Sequence, residues 1–153
     1  LSAAALRELV TPDPITGDEA KFSVGFQIAL YLTGRDNMPV NYCPEVIFAP
    51  EMQRLIKATT LVHADRYDNL PVDMGVGPAF VSVTLQDGKE YHTERIYPVG
   101  HLTDPIPDQV LKEKFLRCAN PILGEKRAKA LCQSLWGLEN CTVPELMHLT
   151  LPA

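Results

Sequence analysis

The sequence predicts an α+β fold, a two-layer sandwich in which helices cover an antiparallel sheet built around a central hairpin. Three observations carry this. Apolar residues recur at helical spacing over 17–33 and again in three stretches beyond residue 107, whereas the middle of the chain, from Pro78 to Tyr97, alternates with a period of two. Strands in the middle and helices at both ends, with no strand–helix–strand alternation, is the α+β pattern. A chain of 153 residues that is 46% hydrophobic and 22% charged is a single domain of ordinary size, with enough apolar side chains for a core.

The first element is a short Ala-rich helix over Ser2–Val10, stopped by the Thr-Pro-Asp-Pro loop at 11–14, because prolines so close together cannot continue a helix. The longest helical pattern follows. Thr16 and Glu19 have the spacing of a capping box and Gly34 supplies a stop, so one helix is expected from Gly17 to Thr33. Its apolar residues form two adjoining stripes, Ala20/Val24/Ile28/Tyr31/Leu32 and Phe22/Phe26/Ala29/Leu30, leaving a narrow polar edge around Asp18, Lys21 and Gly25. A helix apolar most of the way round belongs at the centre of a domain, or has one side against a partner outside this sequence.

Arg35–Pro50, with three prolines and no clear period, reads as a crossing loop with a short extended piece at Glu45–Phe48. Pro50 is well placed to open a helix that runs to about Lys57, and the β-branched residues of Thr59–Ala64 suit a strand. Arg66–Gly77 is a polar loop. In Pro78–Gln86, Ala79, Val81, Val83 and Leu85 alternate with Phe80, Ser82, Thr84 and Gln86, and Asp87-Gly88 marks a turn into Lys89–Tyr97. A two-residue loop would set Val81, Val83 and Leu85 opposite charged or polar partners. A three-residue loop, with Gly88 left-handed, sets Val83 opposite Tyr91 and Val81 opposite Thr93, and this register keeps more apolar pairs together. Past the loop 98–107, helices are expected over Asp108–Asn120 (stripe Leu111/Phe115/Cys118), over Gly124–Leu138 (Ala128/Leu131/Leu135/Leu138), and after a second capping box at Thr142 and Glu145.

Several function classes are disfavoured. A net charge of −5 argues against a nucleic-acid surface, and no apolar run approaches the roughly 18 residues that cross a membrane. Cys43, Cys118, Cys132 and Cys141 lack ligand spacing and read as small apolar residues suited to a reducing cytoplasm, and four scattered histidines give no zinc signature, so no metal is expected. Gly75-Val76-Gly77-Pro78 precedes a strand and not a helix, which does not suit phosphate binding. Lys21, beside Ser23 and the free N–H groups of a helix start, is a candidate carboxylate ligand, although a first-turn lysine is also an ordinary exposed residue. His101, beside Gly100 in a loop between prolines, is a candidate acid/base group or a solvated loop histidine. Leu1 at the start, in place of Met, is expected of a processed or excised piece of a longer protein.

Glu19-Ala-Lys-Phe-Ser23, Val81-Ser-Val-Thr-Leu-Gln-Asp-Gly88, Gly100 leading to Pro105-Ile-Pro107, and Leu111-Lys-Glu-Lys-Phe115 occur in the order found in the MmgE/PrpD family. The resemblance runs from about Val10 to about Asn140, and the family includes 2-methylcitrate dehydratase, cis-aconitate decarboxylase and iminodisuccinate epimerase. It implies the smaller α+β lid domain, resting on an all-helical domain that precedes it in sequence, with the active site in the cleft between them. The implied chemistry is proton removal next to a carboxylate, without a cofactor, in small di- and tricarboxylic acids, as in propionate catabolism. Most acid/base groups would belong to the helical domain, which leaves the isolated chain inactive and its catalytic residues unassigned. Carried over by position, Lys21, Ser23 and His101 would bind or polarise substrate. The implied partners are the polycarboxylate substrate, the helical domain of the same protein and a second copy in a homodimer. The sequence departs from the family at Phe26, where a tyrosine is common, and at Pro107, where a serine often caps the following helix. The competing expectation is a stand-alone, non-catalytic ligand-binding or interaction module that keeps the lid fold without the enzyme.

Overall fold

The structure is a computed structural model that describes residues 1–9, 11–70 and 77–151. Helices and, among the described residues, one two-stranded antiparallel sheet make it α+β. The chain divides into two compact units, Leu1–Asp104 and Pro105–Ala153.

In the first unit, α1 (Ala3–Glu8) is capped by Ser2, whose Oγ accepts the Ala5 N–H. The expected long helix is two helices, α2 (Gly17–Lys21) and α3 (Val24–Leu32). The capping box opens α2 as expected. Ser23 then breaks the run: its backbone is extended, at φ −104° and ψ 107°, and its Oγ accepts the Phe26 N–H at 3.3 Å as the cap of α3. Serine competes for backbone hydrogen bonds in this way, and apolar periodicity does not register it. The break decides which residues face inward. Gly25, Phe26, Ala29 and Leu30 are buried, whereas Phe22, Tyr31 and Leu32 are about half exposed. Gly25 is therefore not on a polar edge but against α5 (Pro50–Ala58), where an added Cβ would sit 3.4 Å from the Ile56 carbonyl oxygen.

Ala20, Phe26, Ala29 and Leu30 close on Ile47, Met52 and Ile56, with Tyr42, Val46, Ala49 and Leu55 around them. Each large side chain buried here contributes about 1.5–3 kcal/mol. Ile47 belongs to α4 (Pro44–Ile47), a helical turn where an extended piece is expected, because Pro44 and Pro50 both open helices. The strand expected over Thr59–Ala64 does not form. Its β-branched residues suit a strand, but the long-range backbone bonds found along it among the described residues reach Leu1 alone, with Ala64 N–H donating to Leu1 O and the Leu1 amino group to Val62 O.

The hairpin β1 (Ala79–Thr84) and β2 (Glu90–Arg95) pairs Val83 with Tyr91 and Val81 with Thr93, the register of the three-residue loop. Gly88 is left-handed at φ 84°, and Leu85 N–H closes the loop on Lys89 O at 2.8 Å. Ala79, Val81 and Val83 are half-buried, their neighbours on β1 are exposed, and β2 is exposed throughout. Of the glycine-rich segment 75–78, Gly75 and Val76 lie outside the described residues.

The second unit is three helices, α6 (Asp108–Leu123), α7 (Glu125–Trp136) and α8 (Val143–Thr150). Gly124, at φ 74°, ends one helix and begins the next. Leu123, Ala128 and Leu131 form the buried centre, and Phe115, Leu116, Ala119, Leu146 and Leu149 pack on it. The expected stripes are shorter in fact, since Leu111, Leu135 and Leu138 are all more than a third exposed. The second capping box joins Thr142 and Glu145, and Pro107 precedes α6 with no side-chain cap.

Candidate functional site

Lys21 closes α2, where a cation complements the helix dipole. Its Nζ lies 2.8 Å from Asp18 Oδ1, with the side chains 57% and 91% exposed. Hydrogen bonding to that carboxylate raises the lysine above its ordinary value and lowers Asp18 below its own. The lysine ammonium is therefore a firm cation on a flexible stem, held by a partner that an incoming carboxylate can displace.

Lys21 lines an open cavity of about 550 Å³ together with Thr16, Gly17, Asp18, Asn37, Pro39 and Tyr42. The cavity exists because α2 starts hard against the turn at Tyr42: a Cβ on Gly17 would lie 2.3 Å from the Tyr42 carbonyl oxygen. The Tyr42 ring packs on Phe26 at 5.5 Å, and its hydroxyl meets the Gln27 amide, whose nitrogen also donates to Ala20 O. The buried core thus fixes one wall, and the Lys21 cation beside it is exposed.

Ser23, two residues from Lys21, takes another course. It is 1% exposed, and its hydroxyl oxygen is taken up in capping α3. His101 is not among the residues lining this cavity. It sits in the turn after β2, its ring stacked on Tyr97 at 4.5 Å and its Nδ1 accepting the Thr103 N–H at 3.2 Å.

Three features have no counterpart in the sequence reading. Tyr67, 4% exposed, donates its hydroxyl to Glu94, and Arg66 Nη2 reaches the same carboxylate at 3.1 Å while its guanidinium lies over the Tyr67 and Phe80 rings. Arg66 and Glu94 are 28 residues apart, so no local spacing pairs them. His63, Asp65 and Asp68 bring ligand atoms within 4.8 Å of one another and are the described residues most able to hold a metal ion. Ion pairs and hydrogen bonds account for the same grouping: Nδ1 lies 3.2 Å from Asp65, Nε2 2.6 Å from Asp68, and Asp68 also accepts the Ala3 N–H. In the second unit a cavity of about 610 Å³ is lined by Cys141, His148, Glu145, Ser134 and Asn140 among others. The Cys141 thiol faces the Ser134 and Leu138 carbonyl oxygens. The four cysteines are free thiols, with only Cys132 fully buried.

No helix among the described residues is long and apolar enough to cross a membrane. Human (Homo sapiens) cis-aconitate decarboxylase is 28% identical to this chain over 136 residues, which is 86% of this chain and 27% of that protein. The chain therefore spans about a quarter of the length of the curated relative it matches. The profile of the MmgE/PrpD C-terminal domain matches residues 1–138, all of the first unit and α6 and α7 of the second. With its capped α2–α3 pair, its hairpin and helices α6 and α7 inside that match, the chain belongs to the MmgE/PrpD family.

Proposed function

We propose that this chain is the substrate-cleft lid of a cofactor-independent lyase or isomerase acting on small di- or tricarboxylic acids, 2-methylcitrate dehydratase-like, in the cytoplasm. The observation that carries the proposal is the family match over residues 1–138, in a chain that covers 27% of a decarboxylase of a tricarboxylic acid. A lid has little chemistry to do itself. Its part is to close a charged substrate away from water and neutralise one carboxylate, while groups on a helical domain of the same protein move the proton. Lys21 suits the first task, as the cation of the 550 Å³ cavity. Ser23 serves it indirectly, by ending α2 and starting α3 so that Lys21 stays on the outer side. His101 is the second direct contact, beside Lys21.

The half-exposed Phe22, Tyr31 and Leu32, next to fully buried Phe26 and Leu30, are the surface we assign to the helical domain or, in the isolated chain, to a second copy. The isolated chain should lack activity and self-associate through that surface.

The test is Lys21→Ala in the complete protein, assayed for dehydration, decarboxylation and epimerisation of citrate-type acids. The expected outcome is a KM raised about tenfold, equivalent to about 1.4 kcal/mol of lost carboxylate binding, with the thermal midpoint unchanged because the Asp18 pair is exposed. Wild-type KM and kcat in the variant would leave Lys21 a surface lysine. An antibody against this chain separates the lid from a stand-alone module: a native band well above 17.0 kDa supports the lid, and a band at that mass supports the module.

A further inference from the structure

His101 is held more firmly than a solvated loop histidine requires. Its turn is closed by three backbone hydrogen bonds, Gly100 N–H to Asp104 O at 2.8 Å, Asp104 N–H to His101 O at 2.9 Å and His101 N–H to Pro98 O at 3.1 Å. Gly100 makes the turn possible with φ 98°, a conformation that favours glycine. Arg95 Nη1, 2.6 Å from Asp104 Oδ2, ties the far end of the turn back to β2. Within this frame the imidazole is stacked on Tyr97, with 28° between the ring planes.

The ring's hydrogen bonds fix more than its position. Nδ1 faces the Thr103 N–H at 3.2 Å and the Thr103 hydroxyl at 2.9 Å. A backbone amide can only donate, so Nδ1 carries the lone pair and the proton of the neutral ring is on Nε2. Nε2 has no hydrogen-bond partner among the described residues. A base needs its free nitrogen unprotonated. Here the lone pair is occupied, and the outward nitrogen bears the hydrogen.

Resting on the polycarboxylate reading above, we infer that His101 is a neutral hydrogen-bond donor, offering Nε2–H to a substrate carboxylate or to the enolate oxygen formed beside it, with its tautomer set by the Thr103 amide. It polarises and does not abstract. Tyr97 and Thr103 are its positioning residues: one fixes the ring plane, the other the proton.

Long-range proton–nitrogen NMR on the complete protein carrying 15N-histidine reads the tautomer directly, the His101 signals being those that vanish in His101→Gln. The expected result is Nε2–H with an unprotonated Nδ1, unchanged in Thr103→Val, which keeps the amide and removes only the hydroxyl. An Nδ1–H ring, an average of both tautomers, or a tautomer that changes in Thr103→Val overturns the assignment. Binding of tricarballylate, a non-reacting tricarboxylate, tests the donor. His101→Gln, whose amide can reach the Nε2 position, should hold affinity to within about threefold, and His101→Asn, whose amide stops at the Nδ1 level, should lose about tenfold. Equal affinity in both variants, or better binding by His101→Asn, overturns the donor role. Failure of tricarballylate to bind wild type refutes the polycarboxylate reading and the donor's ligand with it. An unexpected tautomer with binding intact refutes only the inference about His101.

Discussion

At the scale of single residues, Lys21 and Ser23 show why neighbours in sequence need not share a role. The sequence makes Lys21 a first-turn residue of a long helix, exposed or holding a carboxylate; it is exposed, but it stands at the last position of the short helix α2 and not at a helix start. It could not show that Ser23 faces inward, because the apolar pattern runs unbroken through it while its hydroxyl captures the Phe26 N–H. Ser23→Ala should cost about 1 kcal/mol, read as a lowered urea midpoint with unchanged slope. The Tyr67–Glu94 pair gives a pH prediction. The Tyr67 hydroxyl, with Arg66 assisting, holds Glu94 below the usual glutamate range. A depressed carboxylate contributes stability that is complete above its unfolded value of about 4.3 and is lost as the pH falls through the lower folded value. The melting temperature should therefore drop below about pH 4.5, and less steeply in Tyr67→Phe, which removes the first of these causes. An equal slope in the variant would show that the hydroxyl contributes nothing.

Among elements, the hairpin was the most legible, because alternation and turn chemistry act over neighbouring residues and both point to one register. The register makes a firm expectation. Deleting one residue from Gln86–Gly88 would turn one strand over and place Val81 and Val83 on the solvent side, so the deletion should expose dye-binding apolar surface, whereas Gln86→Ala should not. That Thr59–Ala64 forms no strand was illegible for the converse reason: β-propensity describes a fitting side chain, and the partner that makes a strand must come from elsewhere in the chain. The contact that shapes the Lys21 cavity was illegible too, since Gly17 reads as a helix start and its closeness to Tyr42 is a tertiary fact. Gly17→Ala should cost about 1–3 kcal/mol through overpacking, far beyond what alanine gains as a helix former, and the urea midpoint would record it.

For the whole molecule, class was legible and division was not. Composition and the order of patterns are enough for α+β, but they do not show that one hydrophobic cluster centres on Phe26 and another on Leu131. Trp136, the chain's one tryptophan, lies in the second unit. Leu131→Ala should shift the tryptophan fluorescence transition by about 2–5 kcal/mol, while Phe26→Ala, costing about 3–5 kcal/mol, should move mainly the circular-dichroism signal of the first unit. Coincident shifts in both probes for both variants would mean one cooperative body. The boundary between the units has a chemical consequence of its own. It falls on the Asp104–Pro105 bond, and aspartyl-prolyl peptides are the most acid-labile links in a polypeptide. The same dipeptide recurs at Asp13–Pro14. Warm dilute acid should therefore dissect this protein without any enzyme, releasing 14–104 and 105–153 with the seam between them cut by the side chain of Asp104 itself.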